Sequence, residues 1–173
     1  SPNNLLKPSD GGPVAVPSQD MVLGIYYLTQ ERPDSLGEGH YFKNLNEAIL
    51  AYENGYVKLH SRIHVRVTKK MADGTEKTGT VESTLGRFIF NEILPQDLGF
   101  VDRSIPENDL VLEVDFHVGK KGLKQILEKV INIHGATTTA EVLDDIKAMG
   151  YKYSTRAAMT VSISDMTVPE KKG

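Results

Sequence analysis

Two adjacent lysines, Lys120 and Lys121, stand between Gly119 and Gly122, where a strand is expected to give way to a helix. Side chains project freely at such a junction, and the start of a helix attracts anions, so the pair is a candidate phosphate-binding element. Solvated loop lysines are the plainer reading. A second basic set, Lys58, His60, Arg62, His64 and Arg66, recurs at every second position. On a strand these residues share one face. Such a face either lines an electropositive channel or is an outer surface balanced by acids of a partner strand, Glu82 among them. Arg87 falls in the first turn of an expected helix, where a cation opposes the helix dipole unless it has an anionic partner. Arg156 follows Tyr151, Lys152 and Tyr153, an aromatic-basic cluster suited to nucleic acid or to a packed helix end.

Acid-base and metal chemistry find little support. Glu113 and Asp115 share a strand face and have the types for an acid-base pair, but a solvated strand face is the expected reading. Asp144-Asp145 reads as the exposed side of a helix. The histidines (His40, His60, His64, His117, His134) are scattered. His60 and His64, four apart on one strand, would lie roughly 13 Å from each other, too far to share a metal. A nucleophile elbow, a Walker A loop and a dinucleotide fingerprint are missing. No catalytic or metal-ligating residue is therefore assigned.

The elements that must position these residues follow from periodicity. Residues 1–17, with four prolines and two glycines, predict an extended arm. Ser18 caps a helix with Met21, Ile25 and Leu28 on one face. Glu31–Gly39 is loop. Asn44 and Glu47 form a reciprocal cap for a second helix, which buries Leu45, Ala48, Ile49 and Tyr52 and stops at Gly55. Val57–Thr68 alternates as a half-buried strand, Asp73-Gly74 turns it, and Thr75–Ser83 returns. A third helix spans about Thr84–Leu94, ended by Pro95. Residues 95–109 are irregular, and Leu110–Val118 alternates as another strand. Leu123, Ile126, Leu127, Val130 and Ile131 mark a fourth helix stopped at Gly135. Thr138 and Glu141 cap a fifth, through Ile146 and Met149. Tyr151–Ala158 reads as a further helical turn, Met159, Val161 and Ile163 as a short strand, and PEKKG as a polar tail. The expected class is α+β.

With 173 residues the chain suits one domain or two small ones, and its 39% hydrophobic and 25% charged residues are ordinary for a soluble protein. No run approaches the roughly 18 apolar residues of a membrane helix. The absence of cysteine rules out disulfides and thiolate zinc sites, and a cytoplasmic setting is expected. Twenty basic against 23 acidic residues give a net charge of −3. A freestanding nucleic-acid binder usually carries a basic excess.

In order and in detail, five segments resemble bacterial RNA polymerase beta-prime subunits: NNLLKPSDGGPVAVPSQDMVLGIYYLT, KLHSRIHVRV, TLGRFIFNEILP, VGKKGLKQILEKVINIHG and GYKYSTRAAMTVSISDMTVPEKK. PSQD-x-VLG-x-YY and SISDM-x-VPEKK are the most specific, and together the segments cover nearly the whole chain. The resemblance implies a pore domain (18–168) that follows the aspartate-rich NADFDGD loop. It would border the secondary channel for nucleoside triphosphate entry and for extrusion of the RNA 3′ end on backtracking. Gln19 and Asp20 would lie near the active centre. Lys120 and Lys121 would offer charge to triphosphates or displaced RNA, with Arg87 and Arg156 as further matched positions. Magnesium would be bound outside this segment, so no cofactor is expected within it. The beta subunit, the rest of beta-prime and channel-binding cleavage factors would be partners, and no membrane is involved. Residues 169–173 would lead to funnel helices. An excised segment of this kind is expected to be inactive alone and to expose apolar patches, around its first helix above all. The other reading is a structural and docking module that packs on the beta subunit and supports factors entering the channel.

Overall fold

The computed structural model describes residues 17–172, with side chains through 159. The expected arm (1–17) thus lies outside the described residues except for Pro17. The chain divides into two compact units. One takes the described residues up to Tyr27 together with Val118 onward, and the other is Leu28–His117.

In the first unit, helix α1 (Gln19–Leu28) starts as its sequence dictates. Ser18 Oγ accepts the Met21 amide at 3.2 Å, closing an N-cap. Met21 and Ile25 are buried, while Leu23 and Tyr26 are exposed. The long helix α4 (Lys120–Lys172) breaks its helical geometry only at Gly135 (φ 87°, ψ 179°), the expected stop. Leu123, Ile126, Leu127 and Val130 are buried before it, and Val142, Leu143 and Ile146 after it. Helical backbone resumes directly beyond Gly135 and runs through Gly150, so no new start at Thr138 is needed. The expected strand at Met159, Val161 and Ile163 is helical instead, as is the backbone of the tail to Lys172. Once a helix is nucleated, each added residue gains a hydrogen bond at little cost, and this outweighs a three-residue alternation.

Two glycines set how α1 meets α4. A Cβ on Gly24 would fall 1.9 Å from the Gly150 carbonyl oxygen, and one on Gly150 would fall 2.8 Å from the Met21 Cα. The helices cross backbone against backbone there, a contact only glycine permits.

The second unit is built on a three-stranded sheet of order β1-β2-β3. Strand β1 (Tyr41–Phe42) runs parallel to β2 (Arg62–Lys70), with Tyr41 beside His64 and Phe42 beside Val65. Strand β2 pairs antiparallel with β3 (Glu76–Thr84). The hairpin turns at Asp73-Gly74 as expected: Gly74 takes φ +88°. Asp73 Oδ1 accepts the Thr75 amide at 2.9 Å and its hydroxyl at 2.6 Å. These two bonds hold the Asp73 carboxyl below its ordinary pKa.

Helix α2 (Leu45–Glu53) shows the reciprocal cap, shifted by one residue. Asn44 Oδ1 accepts the Glu47 amide at 2.8 Å, and Glu47 Oε1 accepts the Lys43 amide at 3.1 Å. Strand β2 begins at Arg62 rather than Val57. Val57–Ser61 turns instead, and His60 is buried there rather than set on an exposed strand face. Helix α3 (Leu85–Asn91) is shorter than expected, capped by Thr84 and buried at every position.

Leu110–Val118 is not a strand. Side-chain amides do the work of a neighbouring strand. Asn91 Oδ1 accepts the Val114 amide at 3.0 Å and Asn91 Nδ2 donates to the Val114 carbonyl at 2.7 Å. Gln96 Oε1 accepts the Glu113 amide at 2.9 Å. The expected alternation does not appear as burial: Val114 is buried, but so is its neighbour Glu113, while Leu110, Leu112 and Phe116 are half-buried, and the backbone bonds go to side chains.

Gly24→Ala and Gly150→Ala are each expected to destabilise the chain by about 1–3 kcal/mol or more, because the helices must separate to admit a methyl group. Urea unfolding followed by circular dichroism checks this against Gly39→Ala, where nothing lies within 4 Å of an added Cβ. At Gly39 only the cost of its positive φ remains, about 1 kcal/mol.

Candidate functional site

Of the sequence candidates, five lie in the first unit. Gln19 and Asp20 are exposed in the first turn of α1, next to Met21, whose backbone sits against Gly150. Lys120 and Lys121 are exposed in the first turn of α4, where the Gly119 carbonyl accepts the Leu123 amide at 2.9 Å. Tyr26 is the near neighbour of Gly119. It lies seven residues along α1 from Gln19, about 10 Å of helix. The two pairs therefore sit towards opposite ends of α1. Neither lysine forms an ion pair with a described residue. Arg156 is half-buried, its guanidinium 5.6 Å from the centre of the Tyr153 ring, with Lys152 Nζ at 5.4 Å from the same ring. Tyr153 is itself buried. The aromatic-basic cluster thus packs on itself, while Tyr151 stays exposed.

Arg87 belongs to the other unit, buried with only 7% of its side chain exposed. The anionic partners that its helix position calls for are present. Its Nε donates to the Thr29 carbonyl at 2.9 Å, and its Nη1 reaches Glu31 Oε1 at 3.2 Å and Asp115 Oδ1 at 3.3 Å. Arg62 joins the same acids, with Nη1 on Glu31 Oε1 at 3.1 Å and Nη2 on Asp115 Oδ2 at 3.0 Å. Its Nε donates to Glu82 Oε2 at 2.8 Å. Ser83 Oγ donates to Asp115 Oδ1 at 2.5 Å. Burial disfavours the Arg62 charge, but the hydrogen bonds and charges of Asp115, Glu82 and Glu31 outweigh it and raise its pKa above the ordinary arginine value. For Arg62, the balanced outer face is what the structure contains.

Glu113 and Asp115 form neither an acid-base pair nor a solvated face. Asp115 is committed to the two arginines. Glu113 is fully buried, where its carboxylate accepts the Phe100 and Val101 amides and Arg103 Nη2 at 3.1 Å. Arg103 Nη1 in turn donates to the carbonyls of Asn108 at 2.6 Å and Val111 at 2.8 Å. A buried carboxylate is tolerable on those terms, paired and hydrogen-bonded. Sequence reasoning missed Glu31, read only as loop, and Arg103. The signal for the network lay in Arg87, a cation at a helix start with no acid within one helical turn of it. Among the described residues, no group of three or more histidines and carboxylates is placed to hold a metal ion. No helix there is long and apolar enough to cross a membrane.

The family described as RNA polymerase Rpb1, domain 3, matches residues 4–166. The chain belongs to that family. It is 74% identical over 172 residues to DNA-directed RNA polymerase subunit beta' of Lachnoclostridium phytofermentans, covering 99% of this chain and 14% of that protein. The same subunit of Acetivibrio thermocellus is 59% identical, covering 99% and 15%, and that of Clostridium novyi is 55% identical, covering 98% and 14%. The chain therefore spans about a seventh of the length of the curated relatives it matches. The resemblance to bacterial beta-prime subunits holds across the chain, and the α+β class holds with it.

Removing Asp115 leaves two arginines short of a shared acid, so Asp115→Asn is expected to cost about 2–3 kcal/mol, below the full buried-pair value because Asp115 is partly exposed. Glu82 is half exposed, and Glu82→Gln is expected to cost less than about 1 kcal/mol. Denaturant midpoints of the two variants check the order.

Proposed function

We propose that this chain works as part of a DNA-directed RNA polymerase beta-prime subunit, in which it lines the secondary channel used by nucleoside triphosphates and by the RNA 3′ end during backtracking. On this reading the nucleotidyl transfer belongs to the assembled polymerase, with magnesium held outside this segment. The family membership supports the coarse assignment. The observation that carries the channel reading is the pair Lys120 and Lys121, exposed and free of carboxylate partners among the described residues at the start of α4. Two solvated ammonium groups beside the positive end of a helix create a local field that attracts triphosphate and RNA phosphates. Gln19 and Asp20 open α1 in the same unit and are proposed to lie toward the active centre. Arg156, half-buried against the Tyr153 ring, is proposed to steady that stretch of α4. Arg87, buried among acids, is proposed to hold the second unit together rather than to meet nucleotide directly.

A docking role has its own support. Leu23 and Tyr26 on α1, and Leu36, Leu50 and Tyr56 in the second unit, are exposed apolar side chains suited to packing on the beta subunit or on channel-entering factors. The two readings are compatible, since a channel wall must also be held in place.

In the assembled polymerase, Lys120→Ala/Lys121→Ala is expected to raise the apparent KM for nucleoside triphosphates several-fold, or to change cleavage of backtracked RNA, with subunit assembly intact. Unchanged elongation and cleavage kinetics would remove the lysines from the mechanism.

A further inference from the structure

The β2–β3 hairpin has two unlike faces. On one, residues 106–112 lie across it and engage its cations. Lys77 Nζ donates to Asp109 Oδ2 at 2.8 Å and to the Pro106 carbonyl at 2.9 Å, and Lys69 Nζ donates to the Asp109 carbonyl at 3.2 Å. Burial and the nearby Arg103 charge pull the Lys69 pKa below the ordinary lysine value. Gly79 sits beneath Leu110, where a Cβ would come within 2.9 Å of a Leu110 methyl.

The other face is open beyond its inner end, where Thr84 is buried and Arg62 half-buried. Arg62, His64, Arg66, Thr68 and Lys70 point to it from β2, opposite Thr84, Glu82, Thr80, Thr78 and Glu76 of β3. Arg62 and Glu82 bind each other. Beyond them Arg66 and Lys70 are exposed and form no ion pair with a described residue. Glu76, opposite Lys70, is the one acid on this outer half. Between the two cations lie Thr68 and Thr78, exposed and hydrogen-bonded to each other through their hydroxyls at 2.9 Å, with Thr80 exposed beside Arg66. At the inner end Tyr41 of β1 stacks on His64, ring centres 4.1 Å apart and planes 8° from parallel. Tyr41 is nevertheless 72% exposed, so its ring is held flat by one neighbour and still offered to solvent.

We propose that this face of the hairpin binds single-stranded RNA, with a base stacked on Tyr41, phosphates along Arg66 and Lys70, and ribose hydroxyls against the threonines. An open sheet face that combines a braced aromatic ring with cations at strand spacing suits a single strand, whose unpaired bases can stack and whose phosphates follow the strand. Successive residues on the face are about 7 Å apart, which places Arg66 roughly 7 Å and Lys70 roughly 20 Å from His64. The threonine hydroxyls, donors and acceptors both, match the 2′-hydroxyl that distinguishes RNA from DNA. With two cations the affinity is modest, and the logarithm of the binding constant should fall with the logarithm of salt at a slope of about −1.4. The proposal goes beyond the channel reading and uses none of its residues.

The test is fluorescence anisotropy of a labelled oligouridylate and of the matching oligothymidylate with the full 173-residue chain at stepped salt. The expected result is salt-sensitive RNA binding that Tyr41→Ala weakens roughly tenfold and Tyr41→Phe retains. Arg66→Ala/Lys70→Ala should flatten the salt dependence, and Lys120→Ala/Lys121→Ala should preserve the part that depends on Tyr41. All the altered hairpin residues are exposed, and circular dichroism verifies that the variants fold. No RNA binding, or binding that Tyr41→Ala and Arg66→Ala/Lys70→Ala leave unchanged, overturns the proposal. Equal affinity for the oligothymidylate overturns the assignment to RNA.

Discussion

Two arginines sharing two carboxylates govern how the Leu28–His117 unit is assembled. Arg62 comes from β2 and Arg87 from α3, while the acids come from the chain after α1 (Glu31) and from the segment after residue 110 (Asp115). Four pieces distant in sequence therefore meet at one ionic centre, and Thr29 and Ser83 bind into it through a carbonyl and a hydroxyl. Buried charge is tolerable only when paired and hydrogen-bonded, so the requirement runs both ways. Neither arginine can be desolvated before the acids arrive, and the acids have no other described cation within reach. Ile63, Val65, Val81, Leu85, Phe88 and Phe90 form the apolar core of the same unit, and the strand alternation together with the hairpin turn sets the register that brings the charges together.

The same logic extends to the irregular chain from 95 to 117. That stretch lacks a strand partner, yet its backbone is satisfied by Asn91, Gln96 and Arg103 side chains and by the buried carboxylate of Glu113. Once fixed, its residues 106–112 lie across one face of the hairpin, Asp115 holds Arg62 at the inner end of the other, and Arg66, Thr68 and Lys70 stay exposed. In the first unit a different constraint acts. Close glycine contact sets α1 on α4, and the starts of both helices, which carry Gln19, Asp20, Lys120 and Lys121, are placed as a consequence.

Local chemistry made much of this legible. Ser18 and Asn44 sit where capping residues are needed, Asp73-Gly74 where a turn is needed, and Gly135 where helical geometry breaks, whereas Thr84, expected inside its helix, is the cap. The alternation of Ile63, Val65 and Val67 against Arg62, His64 and Arg66 assigned β2 its faces correctly, although the strand starts five residues later than expected. What the sequence could not show was where hydrogen bonds cross long separations. Leu110–Val118 alternates like a strand in residue type, but Glu113 and Val114 are both buried, and the choice between a strand partner and an asparagine side chain is tertiary. Glu113, with a solvated position expected, is buried for the same reason. The two-residue strand β1 is too short to leave a periodic trace. The lysine pair was legible by type and spacing, as was Glu82 as an acid facing the Arg62 strand, whereas Glu31, Arg87 and Asp115 joined them only in three dimensions.

Membership in the Rpb1 domain 3 family places this architecture among chains whose curated relatives are polymerase beta-prime subunits about seven times its length. Within the Leu28–His117 unit, the ionic centre is the device that ties the distant segments together. The most direct test is amide hydrogen exchange on Arg87→Met, which keeps the volume and removes the charge. The account predicts that protection falls together in β2, in β3 and at Val114, while α1 and α4 up to Gly135 keep theirs. A loss confined to the residues flanking position 87, with the hairpin and Val114 unchanged, would contradict it.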